Sequence, residues 1–157
     1  PLRNLTKLQS LDISGNRISD LSPLSGLTGL TYLYLGKNQI GDVTPLSGLT
    51  RLTTLSLTVN QIGDIAPLSS LTALTDLYLD RNRISDVSAL AGLTSLVHLE
   101  LEVNQIGDIA PLVQNSGIAA GDVVAVQWNP LNSNSVNTCV PALQGRGVSI
   151  SWDPVSG

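Results

Sequence analysis

Leucine and isoleucine recur along this chain at fixed intervals. From Leu5 to Gln114 the sequence falls into five consecutive blocks of 22 residues, with no insertion or deletion between them. Each block follows the pattern L-x-x-L-x-x-L-x-[LI]-x-x-N-x-I-x-D-[LVI]-x-[PA]-L-x-x. A fixed period of this length indicates a solenoid, in which every block forms one coil and buries its apolar side chains against the coils beside it.

The polar positions inside a block predict its local structure. The L-x-[LI] segment, for example Leu11-Asp12-Ile13, alternates with period two and predicts a short strand. A long helix is excluded because the leucine spacing is three, and Gly, Asn or Pro interrupts each block. The Asp of each block stands three residues before Pro or Ala, which predicts a capped helical turn. We therefore expect a curved α/β-type coil with a parallel concave sheet and short helical turns on the convex side.

One asparagine follows each predicted strand. An Asn amide both donates and accepts hydrogen bonds, so it can satisfy backbone groups in a buried turn. We interpret this column as a structural ladder, and we interpret the Asp column in the same structural way. The ladder comprises Asn16, Asn38, Asn60, Asn82, Asn104 and Asn129, and the Asp column comprises Asp20, Asp42, Asp64, Asp86 and Asp108.

The chain departs from the pattern at both ends. Residues 1–4 align with the tail of a coil, so we expect further coils, or some other cover, over the apolar edge at Leu5. Residues 5–114 form the five repeats. Residues 115–157 predict an irregular sixth coil with three extra residues between Gln114 and Gly121, then a short helix within 132–144 and a last strand over 148–152. Together they read as a C-terminal cap, with residues 153–157 starting a linker.

The blocks resemble the 22-residue class of leucine-rich repeats, and most of all those of bacterial internalin-like surface proteins. The segment Asp108-Ile109-Ala110-Pro111-Leu112 carries this resemblance, which covers residues 1–114. The cap segment G-D-V-V-A-V-Q-W-N-P-L is similar to the ends of repeat arrays in bacterial and archaeal surface proteins, and it differs from the junction that follows internalin repeats. The resemblance implies an exported, non-catalytic interaction module, extracellular or at the cell surface, without a cofactor.

Outward positions of the predicted strands form the candidate contact surface. All three tyrosines and the single histidine of the chain fall on these positions. Tyrosine is favoured in binding surfaces, which indicates a protein or glycan partner; the alternative is that aromatic residues simply suit strands. The outward row of the second coil is Tyr32, Tyr34 and Gly36. The candidate partner-binding residues are Tyr32, Tyr34, Asp76, Tyr78, Asp80, His98, Glu100 and Glu102.

The charge and the motifs of the sequence argue against several classes of function. The net charge is −4, and five of the twelve acidic residues belong to the Asp column. Eight scattered Lys and Arg residues give no nucleic-acid footprint, and no apolar run is long enough to cross a membrane. Carboxylates and His98 on neighbouring strands have the chemistry of a metal site, but their spacing fits no loop-type calcium motif, so we interpret them as a solvated acidic face. No catalytic motif is present, so we expect a protein that is not an enzyme.

Two other functions remain open on the sequence. An end-to-end contact through the apolar edge at Leu5 and Leu8 would make the chain a structural subunit of a filament. The 22-residue class also includes cytosolic regulators of phosphatases, so a regulatory subunit is a third and weaker interpretation.

Overall fold

The computed structural model describes residues 5–153; the predicted coil tail at 1–4 and the linker residues 154–157 lie outside this range. Seven short strands form one sheet, and each pairs in parallel with its neighbours in the chain. Because the coils have equal length, the register is constant, with Ser10 opposite Tyr32 and Tyr32 opposite Thr54. The strands are β1 Ser10–Asp12, β2 Tyr32–Tyr34, β3 Thr54–Ser56, β4 Asp76–Tyr78, β5 His98–Glu100, β6 Val123–Ala125 and β7 Ser149–Ser151. The predicted solenoid with a parallel sheet is confirmed.

Short helical turns form the opposite side of the coils. Three to five residues suffice for the 3₁₀ form, in which a run this short is usual. The 3₁₀ turns are Ser22–Leu24, Thr44–Leu46, Ala66–Ser70 and Ser88–Gly92, and the fifth is an α-helix, α1 Ala110–Gln114. The side chains of the Asp column bind the backbone at the beginning of each helical turn. Asp42 Oδ1 accepts a hydrogen bond from the backbone N–H of Thr44 at 2.8 Å, and the other four Asp side chains make the equivalent bond.

Leucine and isoleucine side chains fill the interior between sheet and helical turns. The middle residue of each inner strand is fully buried, with Leu33, Leu55 and Leu77 at 0% exposure. The first coil differs from the expectation that every coil buries its seven apolar side chains. Leu5 is 48% exposed, and Leu8 and Leu11 are only partly buried. Within residues 5–153 this coil has a neighbour on one side only, and each coil relies on two neighbours for full burial.

The asparagines after the strands join each coil to the one before it. Asn82 Oδ1 accepts the N–H of Ile62 at 3.0 Å, while its Nδ2 donates to the carbonyls of Leu57 and Leu79, each at 3.0 Å. The same three bonds recur at Asn38, Asn60, Asn104 and Asn129. Asn16 differs, since among residues 5–153 its amide donates to carbonyls of its own coil alone, Ile13 and Ser14.

The last part of the described chain continues the coil with altered chemistry. Asn115 is fully buried and donates to the carbonyls of Leu90 and Leu93, at 2.8 and 3.0 Å, where the sixth coil becomes longer. A π-helical segment, Ser135–Cys139, leads into α2 Val140–Gly145, and Pro141 lies in its first turn, where a missing N–H is tolerated. Arg146 Nη1 donates to the Asn115 carbonyl at 3.1 Å and its Nη2 donates to the Val113 carbonyl, which ties the end of α2 back to the end of the fifth coil.

Candidate functional site on the concave sheet

The constant register sorts the outward side chains into rows that cross the sheet. The first residues of the strands make one row and the last residues make a second, while the middle residues point into the core. Two positions beyond each strand, a third row includes Thr58, Asp80 and Glu102. The candidate residues thus occupy β2 and the adjacent pair β4 and β5, with β3 between them. Strands lie about 4.8 Å apart, so Tyr34 and Tyr78 are about 10 Å apart along their shared row.

Asp76 and His98 form a pair at the start of β4 and β5. Asp76 Oδ1 lies 2.9 Å from His98 Nδ1, the only ion-pair contact within residues 5–153. Thr75 Oγ1 donates to the other oxygen of Asp76 at 2.7 Å. The Asp76 side chain is 27% exposed and the His98 side chain 49% exposed. Both carboxylate oxygens are therefore held in place, while the imidazole still faces solvent.

Three further carboxylates cluster beyond this pair. Thr58 Oγ1 donates to Asp80 Oδ1 at 2.8 Å. Partial burial on the sheet raises the pKa of Glu100 above its usual 4.5, and repulsion from Asp80 and Glu102 adds to the rise, while His98 opposes it. Among the residues that the structure describes, no Lys or Arg lies within ion-pair distance of these acids. The C-terminal half of the concave face therefore carries negative charge that no internal cation neutralises.

The tyrosines present flat, partly exposed rings with a polar tip. Tyr32 is 46% exposed, and Tyr34 and Tyr78 are partly buried. Partial burial raises the pKa of the Tyr78 phenol, and the negative charges of Asp76 and Glu100 contribute to the same shift. The phenol consequently remains a hydrogen-bond donor at neutral pH. Rings with neighbouring carboxylates offer stacking, cation–π contact and ion pairing to a ligand.

The structure alters the predicted surface at three places. Gly36 was expected to face outward, but it is buried, and a Cβ there would lie 3.4 Å from the Thr58 carbonyl oxygen. Val97 and Val123, which the sequence interpretation did not include, are 38% and 39% exposed beside His98. Val123 is the register partner of His98 in β6, so counting the three extra residues of the sixth coil would have found it.

Within residues 5–153, no three His, Cys, Asp or Glu side chains are grouped closely enough to hold a metal ion. No helix in that range is long and apolar enough to cross a membrane. The concave arrangement suits recognition through rings, hydrogen bonds and charge.

A profile of leucine-rich repeats in two copies matches residues 6–48, 50–92 and 72–114, which together cover more than half of the chain. The chain belongs to the leucine-rich-repeat family. A search of curated protein sequences finds no match. Among solved structures, an internalin (inlF) of Listeria monocytogenes is similar, with 34% identity and a TM-score of 0.87 over 99% of this chain and 46% of that chain.

Two further structures have the same architecture. Internalin C2 of Listeria monocytogenes is 34% identical, with a TM-score of 0.86 over 98% of this chain and 65% of its own. A leucine-rich-repeat protein of Leptospira interrogans shares the fold at 23% identity, with a TM-score of 0.84 over 95% of this chain and 38% of its own. This chain thus spans less than two thirds of each of these structures. The resemblance to internalin-like repeats is confirmed, and the fold is one that generally serves as a protein-interaction scaffold.

Proposed function

We propose that this chain is the non-catalytic interaction module of an exported or cell-surface prokaryotic protein, and that its concave face binds a protein or glycan. The observation that carries the proposal is the placement of all three tyrosines and the only histidine on outward strand positions, beside carboxylates that no Lys or Arg of residues 5–153 pairs with. The exported location rests on the resemblance to internalin-like proteins alone.

The chemistry of this face favours a partner with cationic or hydroxyl-rich groups. Tyrosine offers a large amphipathic contact at low cost in side-chain entropy, since only two torsions become fixed on binding. Asp80, Glu100 and Glu102 would orient a positively charged partner and exclude a negatively charged one. Binding a cation would also offset the repulsion from Asp80 and Glu102, which adds to the effect of burial on the raised pKa of Glu100. The partner that fits this face best is a basic protein surface or a sugar that stacks on the rings.

An array experiment tests this proposal. The chain is applied to arrays of extracellular protein domains and glycans, beside a Tyr34→Thr/Tyr78→Thr variant that keeps β-branched residues on the strands. A Ser69→Ala variant, changed at an exposed position of a convex helical turn, is the matched control. We expect ligands of the native chain to be lost in the tyrosine variant and kept in the control. Ligands that tolerate the tyrosine changes would contradict the proposal.

End-to-end assembly is the second candidate function. The observation that favours it is the constant register of coils of equal length, because the parallel sheet of one copy could continue into the next. A head-to-tail contact of this kind does not close on itself and produces filaments. Light scattering after size-exclusion chromatography distinguishes the two candidate functions. Large species that dissociate in a Leu8→Asp variant would support assembly. A monomer would contradict assembly and leave concave binding as the function.

A further inference from the structure

A further row of side chains, separate from the three rows of the concave sheet, runs along the turns that follow the strands, immediately before the ladder asparagines. We call this the turn row; it comprises Lys37, Val59, Arg81, Val103 and Trp128, with Gly15 at the equivalent place in the first coil. All six residues have positive φ, between 55° and 70°. The left-handed conformation suits Gly15, but it is unfavourable for a β-branched residue such as Val59 or Val103.

Hydrogen bonds on both sides impose this conformation. The N–H of Val59 donates to the Asp80 carbonyl at 3.0 Å, and the N–H of Val103 donates to the Gln127 carbonyl at 3.0 Å, so each turn residue extends the sheet ladder to the next coil. The following asparagine then ties the chain to the preceding coil. The backbone is therefore fixed whatever side chain is present, and glycine or asparagine would fit it with less strain.

Four of the five non-glycine residues of the turn row are exposed, and Val103 is partly buried. Trp128 is 61% exposed, the largest exposure among the large apolar side chains of the described residues, and Val59 is 37% exposed. A mostly exposed row that holds three apolar side chains, Val59, Val103 and Trp128, on a rigid edge is a candidate contact surface.

The turn row also carries charge opposite to that of the concave face. Lys37 and Arg81 alternate with Val59 and Val103, so cation and apolar side chain follow each other coil by coil. Arg17 and Arg83 lie two residues further along the same turns and are exposed. None of these four cations is in an ion pair within residues 5–153. This edge of the solenoid therefore presents Lys and Arg beside apolar side chains, with one acid at the Trp128 end, where Asp153 Oδ2 accepts the Trp128 N–H.

We propose that the turn row is a second docking surface, separate from the concave face, and that it binds an acidic amphipathic helix of a partner protein. The repeat lengths agree, because a helix rises about 5.4 Å per turn and the coils are about 4.8 Å apart, so one side chain per turn meets one coil. Carboxylates at i and i+7 meet Lys37 and Arg81, and apolar residues at i+4 and i+11 meet Val59 and Val103. The alternation favours this occupant over a polyanion, which would leave the valines and Trp128 without apolar contacts.

A pair of designed peptides tests the proposal. The probe is a stapled helix of about five turns with Glu at i and i+7 and Leu at i+4 and i+11, labelled for fluorescence anisotropy. The counterpart has Lys in place of both Glu residues. We expect the native chain to bind the acidic helix at least about tenfold more tightly than the basic one, and Lys37→Glu/Arg81→Glu to reverse this preference. Failure of the acidic helix to bind, or binding of both helices alike, would overturn the proposal.

A second variant separates strain from contact. Val59→Asn/Val103→Asn should raise the melting temperature by about 2–4 °C for each site, since asparagine tolerates the left-handed conformation, while the affinity for the acidic helix falls. Unchanged affinity in this more stable variant would remove the valines from the surface and overturn the proposal. Tyr34→Thr/Tyr78→Thr should leave peptide binding unchanged, so a failure of the concave proposal is seen separately. Binding of heparin that Lys37→Glu/Arg81→Glu abolishes, without binding of the acidic helix, would assign the row to an anionic polysaccharide instead.

Discussion

The residues that define the repeat and the outward residues of the concave sheet differ in how they recur from coil to coil. Repeated positions hold the same residue types in all five regular coils: leucine or another aliphatic in the buried core, asparagine after the strand and an exposed aspartate before the helical turn. Concave positions change at every coil, from Tyr32 to Thr54 to Asp76 along a single row. The contrast indicates that the solenoid is stabilised by its repeated positions, and it predicts that the concave residues contribute less to folding.

Adjacent residues show the contrast most directly. Leu77 is completely buried, whereas its neighbour Tyr78 is only partly buried and faces outward from the same strand. Charge follows the same division. The exposed Asp side chains of the repeated pattern accept backbone hydrogen bonds, whereas Asp80, Glu100 and Glu102 repel one another across the concave face. The following changes break or sharpen this comparison.

Loss of a ladder asparagine should have the largest effect among single substitutions of polar residues. Asn82→Ala removes the acceptor for the Ile62 N–H, whereas the carbonyls of Leu57 and Leu79 retain Asn60 and Asn104 as donors. One buried donor without a partner and two lost hydrogen bonds predict a loss of about 3 kcal/mol in the free energy of unfolding. Urea titration measures it. Asn16→Ala is the matched control, since among residues 5–153 Asn16 bonds only within its own exposed coil, and an equal loss there would refute the ladder interpretation.

The start of a helical turn should matter less. Asp64→Ala removes the acceptor of the Ala66 N–H and should lower the free energy of unfolding by about 1 kcal/mol. Asp64→Asn keeps an oxygen in the same place and should recover most of that loss. Thermal unfolding followed by circular dichroism gives both values. A loss in Asp64→Asn as large as in Asp64→Ala would show that the hydrogen bond is not the stabilising contact.

Acid should lower the folding stability that the Asp column contributes. Hydrogen bonds from Thr44 and Ser88 hold the pKa values of Asp42 and Asp86 below their usual 3.8. A lowered folded-state pKa contributes stability that is present above pH 3.8 and is lost as the pH falls through the folded-state value. We therefore expect Asp42→Asn/Asp86→Asn to lose less stability than the native chain as the pH falls below about 4. Parallel urea titrations across this range measure the difference, and identical slopes would contradict the prediction.

The concave face should respond to pH in the opposite direction, and more weakly. The raised pKa of Glu100 means that the folded state holds its proton more tightly than the unfolded state, so stability falls as the pH rises from 4.5 through the folded-state value. Glu100→Gln should therefore be slightly more stable than the native chain at neutral pH and equal to it at pH values below 4.5. The same urea titrations compare the two chains. A variant that is less stable at neutral pH would show that Glu100 stabilises the sheet.

The sequence predicts most of the fold because its period is strict. Equal coil lengths fix the register, and the L-x-[LI] alternation separates buried from outward residues. The left-handed conformation of Val59 and Val103 was not predicted, because their residue types favour extended backbone and only Gly15 at the equivalent position indicated it. The burial of Gly36 arises from the approach of the Thr58 carbonyl in the next coil, and the Asp76–His98 contact depends on side-chain rotamers. Neither the burial of Gly36 nor the Asp76–His98 contact can be read from the spacing of residues. The binding role of the concave residues remains a prediction.

The division between folding and recognition is tested most directly by two double variants on the same strands, β2 and β4. Leu33→Ala/Leu77→Ala removes completely buried side chains and should lower the free energy of unfolding by about 3 kcal/mol at each site. Tyr34→Thr/Tyr78→Thr changes the outward neighbours and should lower it by less than about 1 kcal/mol in total. The measurement is the urea unfolding midpoint of both variants beside the native chain. A large shift for the leucine pair and almost none for the tyrosine pair is the predicted result; comparable losses in both would contradict the account.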